Sequence, residues 1–266
     1  MAGRALFANG CSMTYGSELA DGADKRCVDD AYRERCAWPG ALAERLGCER
    51  AVNLGTPSGS NERIVRTTIA WVLGEHLGRG RRAEDLLVVI GWSHPMRREF
   101  YIDGEWHQVV PYHDHAHPKL HRLNLVYREV AWHDHESAVR FLTALVSLES
   151  FLRLHQVPYL FFDALAPVQE HLAHAGDAGE PYLSQLDLGR YFGFDDFNGA
   201  MTDVLAEAFP DWPLRHPSAA GHAHWADLLA GFIRDHHLLT AGVRASAPPA
   251  RARGERKRGD RPFVYR

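Results

Sequence analysis

The chain has 266 residues, of which 45% are hydrophobic and 24% charged, with a formal net charge of -4. That is a globular balance with enough length for a large core, and a single main domain is expected. No apolar run approaches the roughly 20 residues that cross a bilayer, and the opening MAGRALFANG is too short and too polar for a secretory leader. A cytoplasmic location and no membrane partner are therefore expected.

Charge is unevenly spread. Residues 241–266 hold seven Arg, one Lys, one Glu and one Asp, which leaves the remainder of the chain acidic. An acidic body repels nucleic acid in general, so no nucleic-acid partner is expected beyond weak contacts of the tail. The tail lacks an apolar period and reads as a disordered extension, which puts the main domain at residues 1–240. Cys11, Cys27, Cys36 and Cys48 form no C-x-x-C pair, so neither a zinc knuckle nor a thioredoxin-type redox site is indicated.

In chain order, Ala5 to Asn9 is a short apolar run that stops at Asn-Gly, which predicts a buried strand ending at a tight turn. Trp38 to Gly47 suits a short helix with Pro39 near its start and Gly47 after its end. Arg50 to Gly55 reads as a second strand. Ser60 or Asn61 can cap a helix in which Ile64, Val65, Thr68, Ile69, Val72 and Leu73 recur at helical spacing. Asp85 to Trp92 is apolar without alternation, as in a strand covered on both faces. Glu136 to His155 predicts a long helix with Val139, Leu142, Leu145, Val146 and Leu152 inward. Tyr159 to Asp163 is a fourth strand, and Met201 to Phe209 a further helix. Ser218 caps a last helix with Trp225, Leu228, Leu229, Phe232 and Ile233 on its inner face.

Strands alternating with helices predict a parallel sheet with helices on both faces, and in such sheets chemistry gathers at the carboxyl ends of the strands. Ser12 follows the first strand in NGCSMTYG. A serine hydroxyl needs a base within hydrogen-bond reach to act as a nucleophile, and His216 is the strongest candidate. Pro217 holds His216 extended, and Ser218 then starts the last helix. His222 and His224 are rivals for the base, and Cys11 is a rival nucleophile. The backbone N–H groups of Ser12 and Gly55 and the amide of Asn61 are candidate donors to an oxyanion. His94 and Arg97 follow the third strand, where they can contact substrate; an Arg there can clamp a carboxylate or phosphate.

Four blocks in order resemble the SGNH hydrolases, the GDSL-like esterases and lipases. GCSMTYG stands for the nucleophile block, NLGTPSGSN for the glycine block, IGWSHP for the third block and HPSAAGHAHWA for the histidine block. The resemblance implies a three-layer α/β/α sandwich with a five-stranded parallel sheet of flavodoxin-like type. It implies Ser12 as nucleophile, His216 as base, the amides of Ser12 and Gly55 in the oxyanion hole, and no cofactor. The sequence departs from the family pattern twice. Ser93 stands where the family has an Asn donor, a role Asn61 can take over. Pro213 stands where the family has the Asp that orients the base, which leaves Asp211 two residues earlier or a backbone carbonyl. The implied activity is hydrolysis of a small polar ester, such as an acylated sugar, through an acyl-enzyme. An O-acyltransferase using the same pair, and a non-catalytic accessory protein with the same fold, are the alternatives.

Residues 100–134 read as an insertion able to act as a lid. Phe100 to Val110 predicts a hairpin turning at Asp103-Gly104. The stretch holds His107, His113, His115, His117, His121 and His133, and an extended H-x-H-x-H places three rings on one face. It contains no helical H-x-x-x-H pair with an upstream Glu, and no metal site is expected there.

Overall fold

The computed structural model describes residues 3–19, 29–210 and 216–239. The carboxyl-terminal tail, Cys27, Asp211 and Pro213 lie outside the described residues.

The elements alternate as the sequence pattern predicts. β1 is Ala5–Asn9, β2 Arg50–Asn53 and β3 Leu86–Trp92. β6 is Tyr159–Asp163 and β7 Tyr191–Phe192. These five strands form one sheet in the order β2-β1-β3-β6-β7, with every pairing parallel. Counting only the strands of this sheet, that is the doubly wound flavodoxin-like order. The order reverses between β1 and β3, so the loops that leave these two strands diverge around a crevice. A separate antiparallel hairpin, β4 Arg98–Ile102 and β5 Glu105–Val109, turns at Asp103 and Gly104. Both turn residues have positive φ, 53° and 89°, as the predicted Asp-Gly turn requires.

The sheet divides two cores. Every residue of β3 is buried, and its side chains alternate between the two sides. Leu86, Val88, Ile90 and Trp92 face α4 (Asn61–Trp71) and α6 (Asp134–Leu154). Leu87 and Val89 face α3 (Trp38–Arg45) and α10 (Ala219–Asp235), where Trp38, Leu42, Trp225 and Leu229 are fully buried. Strand β3 thus lacks polar alternation because both of its faces are covered.

The inner stripe of α6 differs in part from expectation. Phe141 and Leu148 are buried with Leu142, Leu145 and Leu152, whereas Val139 and Val146 are only partly buried. The buried set keeps three- and four-residue steps along one line, and the two valines flank it. Ser60, not Asn61, caps α4, accepting from the Arg63 N–H at 3.3 Å. Ser218 caps α10 as expected, accepting from Gly221 N–H. Elements with no counterpart in the sequence pattern include α2 (Asp30–Cys36), α7 (Val168–Ala175) and β7.

The insertion is a small packed unit. Beyond the hairpin it contains α5 (Pro118–Val126), and Val109, Leu120 and Tyr127 form a core of their own. Arg66 of α4 grips the hairpin by two 2.8 Å bonds to the Glu99 carboxylate. The segment His113 to His117 is turn and bend, not an extended strand, so the three rings do not share the face expected of them. His117 instead faces Asp103, and His133 caps α6. Among the described residues, no three His, Cys, Asp or Glu side chains gather as a metal-binding group. Among the same residues, no helix is long and apolar enough to cross a membrane.

Candidate active site

Ser12 is the first residue of α1 (Ser12–Tyr15), directly beyond the end of β1, and is 7% exposed. Two glycines permit this tight turn. A Cβ on Gly10 would lie 2.1 Å from Thr14 Oγ1 and 2.8 Å from the Gly91 carbonyl oxygen, so α1 and β3 leave no room for a side chain. Gly16 closes α1 in the left-handed conformation at φ 84°. Cys11 is fully buried in the core shared with α3 and α10, so it packs and is not presented as a nucleophile.

Gly55 stands against the other side of α1. A Cβ there would lie 2.5 Å from the backbone nitrogen of Tyr15. Asn53 joins the two segments: its Nδ2 donates to the Thr14 carbonyl at 2.8 Å and its Oδ1 accepts from the Gly55 N–H at 2.9 Å. The Gly55 N–H is therefore committed to an Asx turn, which corrects its expected place as a free oxyanion donor. Its glycine identity serves close approach to α1.

Asn61 and Ser93 lie together, both nearly fully buried. Asn61 Nδ2 donates to the Ser93 carbonyl at 2.9 Å, and the Ser93 N–H donates to Asn61 Oδ1 at 2.9 Å. The carboxamide of Asn61 thus reaches the chain position at which the family pattern carries its Asn. Ser93 Oγ accepts from Arg97 at 3.1 Å, so Arg97 braces this loop and is not extended toward solvent. His94 Nδ1 accepts from the Met96 N–H, and its ring meets His171 edge to face at 5.4 Å. Burial lowers the His94 pKa to about 4 and that of His171 to about 3, so both stay neutral at pH 7.

His216 precedes the Ser218 cap of α10 and is partly exposed. Its Nδ1 lies 3.3 Å from a carboxylate oxygen of Glu18, in the loop that follows α1. Glu18 is six positions beyond Ser12 in the chain, so this contact sets His216 against the loop that follows α1. His222, the rival base, is fully buried; its Nδ1 accepts from the Trp38 N–H at 3.2 Å, and burial lowers its pKa to about 3. It is a packing residue joining α10 to α3. His224 lies edge to face with Phe209 at 5.7 Å.

Glu18 and Asn53 are the site residues that the sequence reading missed. Asn53 had a usable signal, since an Asn two positions before a glycine at a strand end favours an Asx turn. Glu18 had none, because its partner is 198 positions away.

A cavity of about 700 Å³ opens at the opposite, amino-terminal ends of the strands, lined by Glu49, Arg50, His76, Arg81, Arg82 and Asp85 among others. It brings no hydroxyl or thiol next to an imidazole. The residues suited to acyl chemistry gather at the carboxyl ends instead.

These features define a doubly wound α/β/α protein with its polar cluster at the switch point of the sheet. The chain belongs to the family described as "Family of unknown function (DUF6071)", which matches residues 17–249. No curated protein matches it. Among solved structures, it is similar to a putative lipolytic protein of the G-D-S-L family from Desulfitobacterium hafniense, at 12% identity, covering 86% of this chain and 98% of that one with a TM-score of 0.44. It is similar to TesA at 13% identity, covering 88% and 99% with a TM-score of 0.46. It is also similar to the psychrotrophic esterase EstA from a Pseudoalteromonas species at 10% identity, covering 87% and 97% with a TM-score of 0.44. The five-stranded parallel sheet, in its order and its helical layers, is the fold that the SGNH resemblance implies.

Proposed function

We propose that the protein is a serine hydrolase of SGNH type acting on a small polar ester, with an acylated sugar as the favoured class. The 3.3 Å approach of His216 to Glu18 carries this reading, because it sets the imidazole against the loop that follows the Ser12 helix. In the reaction, Ser12 Oγ attacks the ester carbonyl carbon while His216 takes the hydroxyl proton. The carbonyl π electrons move onto oxygen, where the Ser12 N–H and the Asn61 amide donate to the anion. Nδ2 of Asn61 carries two hydrogens, and its bond to the Ser93 carbonyl uses one of them. Collapse of the intermediate breaks the ester C–O bond, and the alcohol leaves with the proton returned by His216. Water, activated by the same imidazole, then releases the acid from Ser12.

The insertion supplies one wall of the substrate site. Its Gln108 Oε1 accepts from the Ser60 N–H at 2.8 Å, at the start of α4 and one residue before Asn61. Tyr101 is exposed on the hairpin and offers an aromatic surface suited to a sugar ring, whereas the neighbouring Trp106 is covered on one side by the Arg66 guanidinium, 4.3 Å from its ring centre.

The test is labelling of the purified full chain with a fluorophosphonate, combined with hydrolysis of p-nitrophenyl acetate and of acetylated sugars. The expected result is a label on Ser12 that is lost in Ser12→Ala, together with hydrolysis that falls about a thousandfold or more in that variant. A folded wild-type chain that takes no label and hydrolyses neither class of ester overturns the proposal.

A further inference from the structure

The contact between Glu18 and His216 has a chemical consequence that rests on the hydrolase reading. At the position from which the family pattern orients its histidine, this chain has Pro213, which carries no acceptor side chain. A neutral imidazole that takes a proton at Nε2 needs its Nδ1–H held by an acceptor, both to fix the tautomer and to stabilise the imidazolium. Glu18 places a carboxylate oxygen 3.3 Å from that nitrogen.

The loop is built to hold Glu18 there. Gly16 turns the chain left-handed at the end of α1, and Leu19 is buried three residues later. The Leu19 N–H donates back to the Gly16 carbonyl at 3.3 Å. Arg33 donates to the Tyr15 carbonyl at 2.9 Å and lies over the Tyr15 ring, which pins the start of the loop. Between these anchors Glu18 takes a left-handed backbone at φ 66°, uncommon for a residue other than glycine or asparagine. A residue of better local fit is thus absent from a position whose side chain faces an imidazole.

We propose that Glu18 is the positioning carboxylate of the site, orienting His216 through Nδ1 from the nucleophile's own loop rather than from the segment before the histidine. Among the described residues, the His216 ring is faced by Glu18, from the loop after α1, and by His222, from α10, which burial keeps neutral. Asp211 and Arg215 precede it in the chain, outside the described residues.

The experiment compares wild type with Glu18→Gln, Glu18→Asn and Asp211→Asn in the full chain. It measures kcat and KM for p-nitrophenyl acetate at pH 7.5, melting temperature, and the ring tautomer of His216 by nitrogen-15 NMR. An acceptor at Nδ1 keeps the ring proton there and leaves Nε2 free to take the serine proton. Glu18→Gln is expected to lower kcat about 10- to 1000-fold with KM within twofold, and to lower the share of the Nδ1–H tautomer of His216. Glu18→Asn relieves the left-handed backbone and is expected to melt no lower than wild type while losing the same activity, a combination that a purely structural role does not give.

Unchanged kcat and an unchanged His216 tautomer in Glu18→Gln overturn the proposal, as does confinement of both effects to Asp211→Asn. If wild type neither hydrolyses ester nor takes a fluorophosphonate on Ser12, the hydrolase reading fails by itself. The NMR tautomer then still decides whether Glu18 sets the state of the ring.

Discussion

Asn61 and Ser93 close a reciprocal ring of two hydrogen bonds between the first turn of α4 and the loop leaving β3, each 2.9 Å long and shielded from water. Burial makes both bonds consequential: truncating Asn61 leaves an N–H and a carbonyl without partners. Asn61→Ala is expected to cost about 1–3 kcal/mol in urea unfolding, the usual range for orphaned buried polar groups. Asn61→Asp keeps the acceptor for the Ser93 N–H but sets a carboxylate oxygen against the Ser93 carbonyl. If Asn61 also serves the oxyanion, kcat of a variant that still folds falls about a hundredfold with little change in KM. A kcat equal to wild type removes Asn61 from the oxyanion hole.

The hairpin is tied to α4 by a chain of bonds from Arg66 through Glu99 and Gln108 to the Ser60 N–H, and by the ion pair of Arg98 with Glu62 at 2.9 Å. The Glu99 side chain is 2% exposed, so Glu99→Gln leaves Arg66 opposite a neutral group in a dry contact. Limited proteolysis is expected to cut within residues 98–134 at least several times faster in Glu99→Gln than in wild type. Gln108→Ala is expected to raise KM for acetylated sugars while kcat holds. An unchanged KM means that the insertion does not border the substrate.

Glycines at two positions are expected to respond oppositely. Gly55→Ala drives a methyl group into the backbone of α1, at 2.5 Å from Tyr15 N, and overpacking of that kind costs about 1–3 kcal/mol. Gly74, in the turn that continues α4, has open space at its Cβ and no positive φ. Gly74→Ala is expected to raise the melting temperature by a degree or more, through the lower entropy of the unfolded chain. Equal melting temperatures for the two variants contradict the close approach at Gly55.

Acid sensitivity follows from the buried imidazoles. Burial lowers the pKa of His94 to about 4, and those of His171 and His222 to about 3, whereas the unfolded chain titrates near 6.5. Between those values the unfolded state binds more protons, so stability is full above about pH 6.5 and is lost as pH falls. Asp163 acts in the opposite sense. Burial raises its pKa to about 7, so the folded state keeps a proton that the unfolded chain gives up, and that stability is lost as pH rises toward 7. Asp203 acts with Asp163, since burial raises its pKa to about 6, and burial also pushes Glu149 and Glu170 up, so the histidine contribution is isolated through His222. His222→Gln keeps an acceptor for the Trp38 N–H and is expected to flatten the fall between pH 6.5 and 4 by at most about 1.4 kcal/mol per pH unit. Urea titrations at pH 7.5, 6 and 5 measure it, and an unaltered slope excludes His222 as a contributor.

Much of the fold was legible because several elements carry their own signal. Leu86 to Trp92 is apolar throughout because helices cover both sides, and Ser218 before Ala219 marks a cap by chemistry alone. The short elements carried none. Tyr191–Phe192 is a strand of two residues, recognisable only by its pairing with Phe161 and Phe162. Asp30–Cys36 is charged along most of its length, and it is set by contacts such as Arg33 with Tyr15 rather than by an apolar stripe. At the candidate site, the placement of Ser12 just after β1 and of His216 just before α10 could be read from what flanks them. The commitment of the Gly55 N–H to Asn53, and the approach of Glu18 to His216, depend on how loops fold back, which no local pattern records.

The division of the interior by the sheet bears on how damage spreads. Cys11 and Met13, on either side of Ser12, pack in the compartment of α3 and α10, which also carries His216 toward the nucleophile loop. Ile64 and Trp92, beside Asn61 and Ser93, pack in the compartment of α4 and α6. On the proposed reading, the groups that attack and the groups that hold the anion therefore hang from separate masses of side chains, joined by one layer of backbone. A cavity cut in one compartment loosens one half of the chemistry and spares the other, so distant core lesions would sort into two kinetic types according to the side of the sheet they fall on.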